Sequence, residues 1–257
     1  MKKLHFQYKM DLTFSDHARE HHIVLKCRPM EQPGQTLTSF VCRTDPVSTL
    51  CEVQDGFGNR CITGTIRESH DHFSVLAEGT VERTMQKETV FHPMYRYPSA
   101  YTQVSEPMRR FVETMLSEQK GQSPLQQALG LMERMQERMV YTPGVTDTRT
   151  TAGEAFALGC GVCQDYAHIL IALCRAAGIA ARYAAGMMTG EGASHAWTEV
   201  WDGQFWHGLD PTHNCLVDER YIKLSHGRDF MDAAVDRGCF LGTASQQQTI
   251  LIKVEEK

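Results

Sequence analysis

Hydrophobic and polar residues alternate at the start of the chain: Leu4, Phe6, Tyr8, Met10, Leu12 and Phe14 take every second position. A period of two marks a strand with one buried face. Shorter strand candidates follow at Ile23–Cys27, Phe40–Cys42, Phe73–Ala77 and Thr80–Val81. Cys51–Gln54 and Cys61–Thr63 flank Asp55-Gly56-Phe57-Gly58-Asn59, a glycine-rich stretch suited to a hairpin turn. This spacing of short strands predicts a small sandwich. The period is lost over 91–104, which contains Pro93 and Pro98 and reads as a linker. It divides the chain into a β-rich domain, 1–90, and a second domain, 91–257.

Helical periodicity begins after the linker. Pro107 can occupy a first turn, and Met108, Phe111, Val112, Met115 and Leu116 form one face. Ser123-Pro124 opens a second helix whose apolar side includes Leu125, Ala128, Met132, Met135 and Met139. That methionine stripe reads as core packing. Glu154–Leu158 predicts a short helix. From Ala167 to Ala177 the chain is apolar almost all round, which predicts a helix at the centre of the domain, stopped by Gly178.

Gly159 and Gly161 precede that helix and permit a tight entry at Cys163. A helix N-terminus presents free N–H groups and the positive end of the macrodipole, so it favours the thiolate, the nucleophilic form of cysteine. Asp165 suits the same end as a helix-start carboxylate. A thiolate nucleophile needs a base, and the base needs a group to orient it. Downstream, Asp202-Gly203 predicts a two-residue hairpin turn between His195–Trp201 and Gln204–Asp210. Trp201 then faces Gln204, and the same register sets His195 directly opposite Asp210, close enough for the carboxylate to fix the imidazole tautomer. A one-residue slip would put them on opposite faces.

These segments, Gly161-Val162-Cys163-Gln164-Asp165-Tyr166-Ala167-His168, Ser194-His195-Ala196-Trp197 and Leu209-Asp210-Pro211-Thr212, resemble the three core motifs of the bacterial transglutaminase-like family. The region around Asp55-Gly56-Phe57-Gly58-Asn59 resembles the β-rich domain that precedes the core in bacterial members. The resemblance implies an α+β chain: a β-sandwich-like N-terminal domain, then a papain-like core with a nucleophile helix packed on an antiparallel sheet. It also implies a Cys163–His195–Asp210 triad that attacks an acyl carbon through a thioester, with no cofactor. Water as acceptor gives a peptidase or amidase acting on a peptide or protein substrate, the favoured reading; an amine gives a transglutaminase. Gln164 and Trp197 are candidates to line the substrate site, although Trp197, like Trp201, also suits core packing. One oxyanion donor is expected to be the Cys163 backbone N–H.

Composition narrows the context. The chain has 257 residues, a net charge of −5 and 42% hydrophobic residues, ordinary values that give no reason to expect nucleic-acid or membrane binding. Nine scattered cysteines do not form a disulfide framework, and Lys2-Lys3 is followed by no apolar run, so a reducing cytoplasm is expected. Cys160 and Cys163 form a C-x-x-C at a helix start, the placement of a redox pair, and their spacing raises a reversible disulfide that would cap the nucleophile. An inactive binding module is a further alternative. No second C-x-x-C or H-x₃₋₅-H partner supports a structural zinc, so no metal is expected; His17 and His21 read as a solvated turn. His168 reads as helix packing. His207 is expected opposite Thr198 on the face away from His195. His213 is near enough to Asp210 to compete as a base, but lies beyond Pro211.

Overall fold

The computed structural model describes residues 1–257. The opening alternation becomes a strand far longer than its pattern suggests, β1 (Lys2–Leu25). Leu4, Phe6, Tyr8, Met10, Leu12 and Phe14 all point into the core. The period breaks at Ser15-Asp16-His17, where the pairing register shifts, and Glu20 takes a positive φ of 47°. The strand then continues, with Ala18, His21, Ile23 and Leu25 buried. Ile23–Leu25 is therefore the far half of β1 and not a separate strand. His21, expected in a solvated turn, is buried beside His70 at 3.2 Å, with the Phe14 and Phe73 rings edge-on to it. The bulge turns the second half of β1 by enough to reset which positions face inward.

The N-terminal sheet continues through β2 (Gln35–Asp45), β3 (Cys51–Gln54), β4 (Arg60–Ile66) and β5 (His70–Arg83). Phe73–Ala77 and Thr80–Val81, read as two candidates, belong to the one strand β5. The β3–β4 turn is more than a hairpin end. Asp55 Oδ1 accepts from the Phe57 and Asn59 N–H groups, and the buried Asn59 side chain donates to the His226 carbonyl at 2.8 Å. The Asp55–Asn59 loop is thus a peg that ties the N-terminal sheet to the core.

Residues 91–104 connect the two regions but are packed. Tyr95, in the single helical turn Pro93–Arg96, is buried edge-on to Trp206, and Phe91 stacks on Trp201. The core then runs α1 (Glu106–Glu118), α2 (Pro124–Gln136), β6 (Val140–Tyr141), α3 (Ala152–Leu158), β7 (Cys160–Gly161) and α4 (Cys163–Ala176). Ser123 and Thr151 cap α2 and α3 with reciprocal side-chain bonds to Gln126 and Glu154. Next come β8 (Ala181–Met188), β9 (Gly190–Gly192), β10 (His195–Trp201), β11 (Trp206–Asp210), β12 (Cys215–Leu216) and β13 (Tyr221–Gly227). α5 (Phe230–Ala233), β14 (Asp236–Leu241) and β15 (Gln246–Glu256) end the chain.

The core sheet is antiparallel, ordered β12-β11-β10-β8-β13. One face packs on α4, where the Thr198 hydroxyl donates to the Ala167 carbonyl at 3.2 Å. The other face holds Trp197 and Tyr221 and a buried ionic cluster. There Glu199 accepts from Arg182 at 2.6 Å and Lys223 at 2.7 Å. Glu88 reaches Arg182 from the connecting segment at 2.5 Å. The chain's end returns to its beginning: β15 pairs with β1 from Leu4–Glu256 to Phe14–Gln246, and β14 pairs with the far half of β1. The fold is α+β: a five-stranded antiparallel sheet packed on α4, beside a curled eight-stranded antiparallel sheet.

Candidate active site

α4 begins at Cys163 itself. Two glycines make that start possible. Gly159 caps α3 with a φ of 71°, in the left-handed region. At Gly161 a Cβ would lie 2.4 Å from Asp165 Oδ2, so the helix-start carboxylate fits only beside glycine. Asp165 Oδ2 accepts from the Val162 N–H at 2.7 Å and the Thr146 hydroxyl at 2.7 Å. Burial pushes the Asp165 carboxyl up, against those two hydrogen bonds. Asp165 thus takes the Val162 N–H, and the Cys163 N–H, at the first helical position, has no intrahelical partner and faces the end of the helix.

The β10–β11 hairpin differs from expectation in register. Trp201 pairs with Trp206, Val200 with His207 and Thr198 with Leu209. The turn spans Asp202–Phe205, where Asp202 Oδ1 accepts from the Gln204 and Phe205 N–H groups at 2.7 Å each. Carried onward, this register sets Trp197, not His195, opposite Asp210. The ladder has shifted by two residues, and a shift of two preserves the face. His195 and Asp210 therefore meet diagonally: His195 Nε2 lies 2.7 Å from Asp210 Oδ2. His207 faces Val200 instead of Thr198. It remains on the opposite face, bonded to Asp202 at 2.5 Å.

Asp210 is fully buried, and five donors converge on it. Oδ2 receives His195 Nε2, His213 Nδ1 at 2.8 Å and the Tyr221 hydroxyl at 2.9 Å. Oδ1 accepts from the Thr212 and His213 N–H groups at 3.0 and 3.3 Å. Burial alone would raise the carboxyl pKa. The hydrogen bond and charge of His195, helped by His213 and Tyr221, instead hold it at about 2. Burial likewise opposes the His195 cation, yet the bond to Asp210 and the interaction with the Cys163 thiol raise the imidazole to about 9. With Nε2 committed to Asp210, Nδ1 is the nitrogen left for Cys163.

Cys163, Gln164 and His195 line one cleft of about 420 Å³. Trp197 does not reach it: the indole is 1% exposed and packs edge-on to Tyr221. The structure thus joins Cys163, His195, Asp210 and Gln164 and leaves Trp197 in the packing beneath. Sequence reasoning missed Tyr221, whose contact with Asp210 no local pattern announces. It undervalued His213, although Asp-Pro-Thr-His is a turn in which the aspartate bonds its own following backbone. His168 is buried packing, as read: its Nε2 accepts from the Phe230 N–H at 3.0 Å, and burial lowers it to about 3.

Two other arrangements bear on the chemistry. Cys160, Gly161 and Val162 are extended, so three residue steps separate the two sulfur-bearing residues by about 10 Å. A disulfide needs Cα atoms within about 7 Å, so the C-x-x-C is not a poised redox pair here. His195, Asp210 and His213 bring ligand atoms within 4.8 Å of one another, as do Glu88, Glu199 and His226. Mutual hydrogen bonds account for the first group. In the second, Arg182 and Lys223 neutralise the two glutamates.

Two family descriptions match the chain: the transglutaminase-like superfamily core over residues 110–211, and the bacterial transglutaminase-like N-terminal region over residues 4–82. An uncharacterised Mycobacterium leprae protein is 29% identical over 251 residues, covering 88% of each chain. An uncharacterised Mycobacterium tuberculosis protein is 38% identical over 141 residues, which is 49% of this chain and 45% of that one. Among solved structures, a candidate cysteine protease from Cytophaga hutchinsonii superposes with a TM-score of 0.83 at 22% identity, over 99% of this chain and 90% of its own. That likeness is one of fold. The chain belongs to the transglutaminase-like superfamily, with the bacterial N-terminal region joined to the superfamily core.

Proposed function

We propose that the protein is a cysteine amidase or peptidase that hydrolyses its substrate through a thioester on Cys163. The observation that carries this reading is the His195 Nε2–Asp210 bond of 2.7 Å, which leaves Nδ1 for a thiol at a helix N-terminus. In the proposed reaction the Cys163 proton passes to His195 Nδ1, and the sulfur attacks the carbonyl carbon. The developing oxyanion takes the Cys163 backbone N–H. The imidazolium returns the proton to the departing amine, leaving the thioester. A water then gives a proton to Nδ1 and attacks the thioester, releasing the acid and restoring the thiol. Asp210 holds the imidazole in one tautomer and stabilises its cation throughout.

The test is a peptide library incubated with the protein, with and without added methylamine, and read by mass spectrometry. Hydrolysis predicts cleavage or deamidation that persists with the amine present and vanishes in Cys163→Ala. Products carrying methylamine in place of water would assign the acceptor role to amines. Turnover that survives Cys163→Ala would refute the proposal.

A further inference from the structure

The cleft at Cys163 has one wall built from the end of the chain. α5 and the residues after it contribute Phe230, Ala234 and Val235, and β15 contributes Ile250. Tyr183 and Ala185 of β8 complete an uncharged, mostly apolar surface beside His195. A second cavity of about 360 Å³ adjoins it, sharing Met231, Asp236, Arg237 and Gln248, so the two form one trough. The floor of the second cavity includes Met10, Leu12, Ile23 and Leu25 of β1.

Arg237 stands where the two cavities meet. Arg237 is exposed and forms no ion pair, whereas Arg28, Arg182 and Arg228 each do. Asp236, which lines both cavities as well, forms no ion pair with Arg237; it is bonded to the Gln248 amide at 2.5 Å and to the Tyr8 hydroxyl at 3.5 Å. One Arg237 nitrogen donates to the Met231 carbonyl, which leaves further donors of the guanidinium free. A planar cation with free donors matches a carboxylate.

Resting on the thiol-enzyme reading, we propose that the trough is a peptide subsite selective for an apolar side chain followed along the same chain by a carboxylate. The apolar side chain lies against Phe230, Val235 and Ile250 near the scissile carbonyl. The carboxylate meets Arg237 at the join. The positive centre is contributed by β14, and the apolar wall by α5 and β15. Specificity therefore comes from the strands that tie the core to the first sheet.

The test uses full-length Cys163→Ala, which binds without reacting, and fluorescent N-acetylated, C-amidated hexapeptides. The peptides place Leu or Ser at one position and Glu or Gln at each other position in turn. The expected result is a position at which Glu binds at least 5-fold tighter than Gln, and only when Leu is present. Adding Arg237→Gln should bring that ratio to about 1 while the Leu preference persists. Arg237→Glu should favour a Lys peptide over its Glu counterpart. A Glu/Gln ratio unchanged by Arg237→Gln, or no binding by any peptide to protein that melts like wild type, overturns the proposal. Failure of the thiol chemistry looks different: wild type would bind the same preferred peptides yet form no thioester and no product.

Discussion

At Asp210 five hydrogen bonds meet on one carboxylate, and that concentration sets the behaviour of the residues around it. His195 is raised from 6.5 to about 9, so its share of stability is complete below about pH 6.5 and is lost as pH rises through about 9. Asp210 is lowered from 3.8 to about 2, so its share is present above about pH 3.8 and is lost as pH falls through about 2. If the reactive form is a thiolate beside an imidazolium, kcat/KM should fall on the alkaline side with an apparent pKa near 9. A titration of activity from pH 5 to 10 checks this. A falling limb near 6.5 would show that the pair is not formed in the working enzyme. Substitutions should rank in order. Cys163→Ala should abolish turnover, and His195→Ala should cost nearly as much, on the order of 10²–10⁴-fold, because the two act as a unit. Asp210→Asn should cost less, since an amide still reaches the imidazole. Steady-state kinetics on variants with unchanged melting temperatures would decide it. An Asp210→Asn loss equal to that of Cys163→Ala would give the carboxylate more than an orienting role.

The elements show why some of this was readable and some was not. Cys163 could be found because a helix start is a local event, signalled by Gly159, Gly161 and the apolar run beyond. His195 and Asp210 were placed together despite a wrong turn, because a turn of four residues instead of two moves the ladder by an even number. Parity survived where register did not. The buried ionic cluster had no such protection. Glu199 lies among buried apolar residues of β10, and nothing local reveals that Arg182, Lys223 and Glu88 converge on it from β8, β13 and the connecting segment. Burial opposes the Glu199 charge, but Arg182 and Lys223 drive its pKa far down, and burial lowers Lys223 to about 8. Removing the shared anion leaves two cations with reduced compensation. Glu199→Ala is expected to destabilise the fold by about 3–5 kcal/mol. Urea denaturation should show this, and a loss below about 1 kcal/mol would mean the cluster is well hydrated.

Over the whole molecule, the two ends of the chain are joined. The return of β15 to β1 is a pairing between residues more than 200 positions apart, which no periodicity within a segment can signal. The pairing covers both partners' inward positions, with Ile252 and Val254 buried beside Phe6 and Tyr8. It also brings Gln248 and Ile250 to the cleft. Truncation before Gln246 should therefore remove part of the cleft wall and expose an edge of β1 along its first half. The expected outcome is a lower melting temperature and a tendency to associate, read by calorimetry and light scattering. A truncated chain that stays monomeric with an unchanged melt would show that β15 adds little to the sheet.

The central claim, that His195 and Asp210 activate Cys163, is tested most directly by alkylation. Iodoacetamide at pH 6, followed by peptide mapping, compares Cys163 with Cys51, an exposed cysteine of the N-terminal sheet. The account predicts that Cys163 is labelled at least 100-fold faster than Cys51 and that His195→Ala removes most of the difference. Labelling of Cys163 no faster than Cys51, or a fast rate unaffected by His195→Ala, would contradict it.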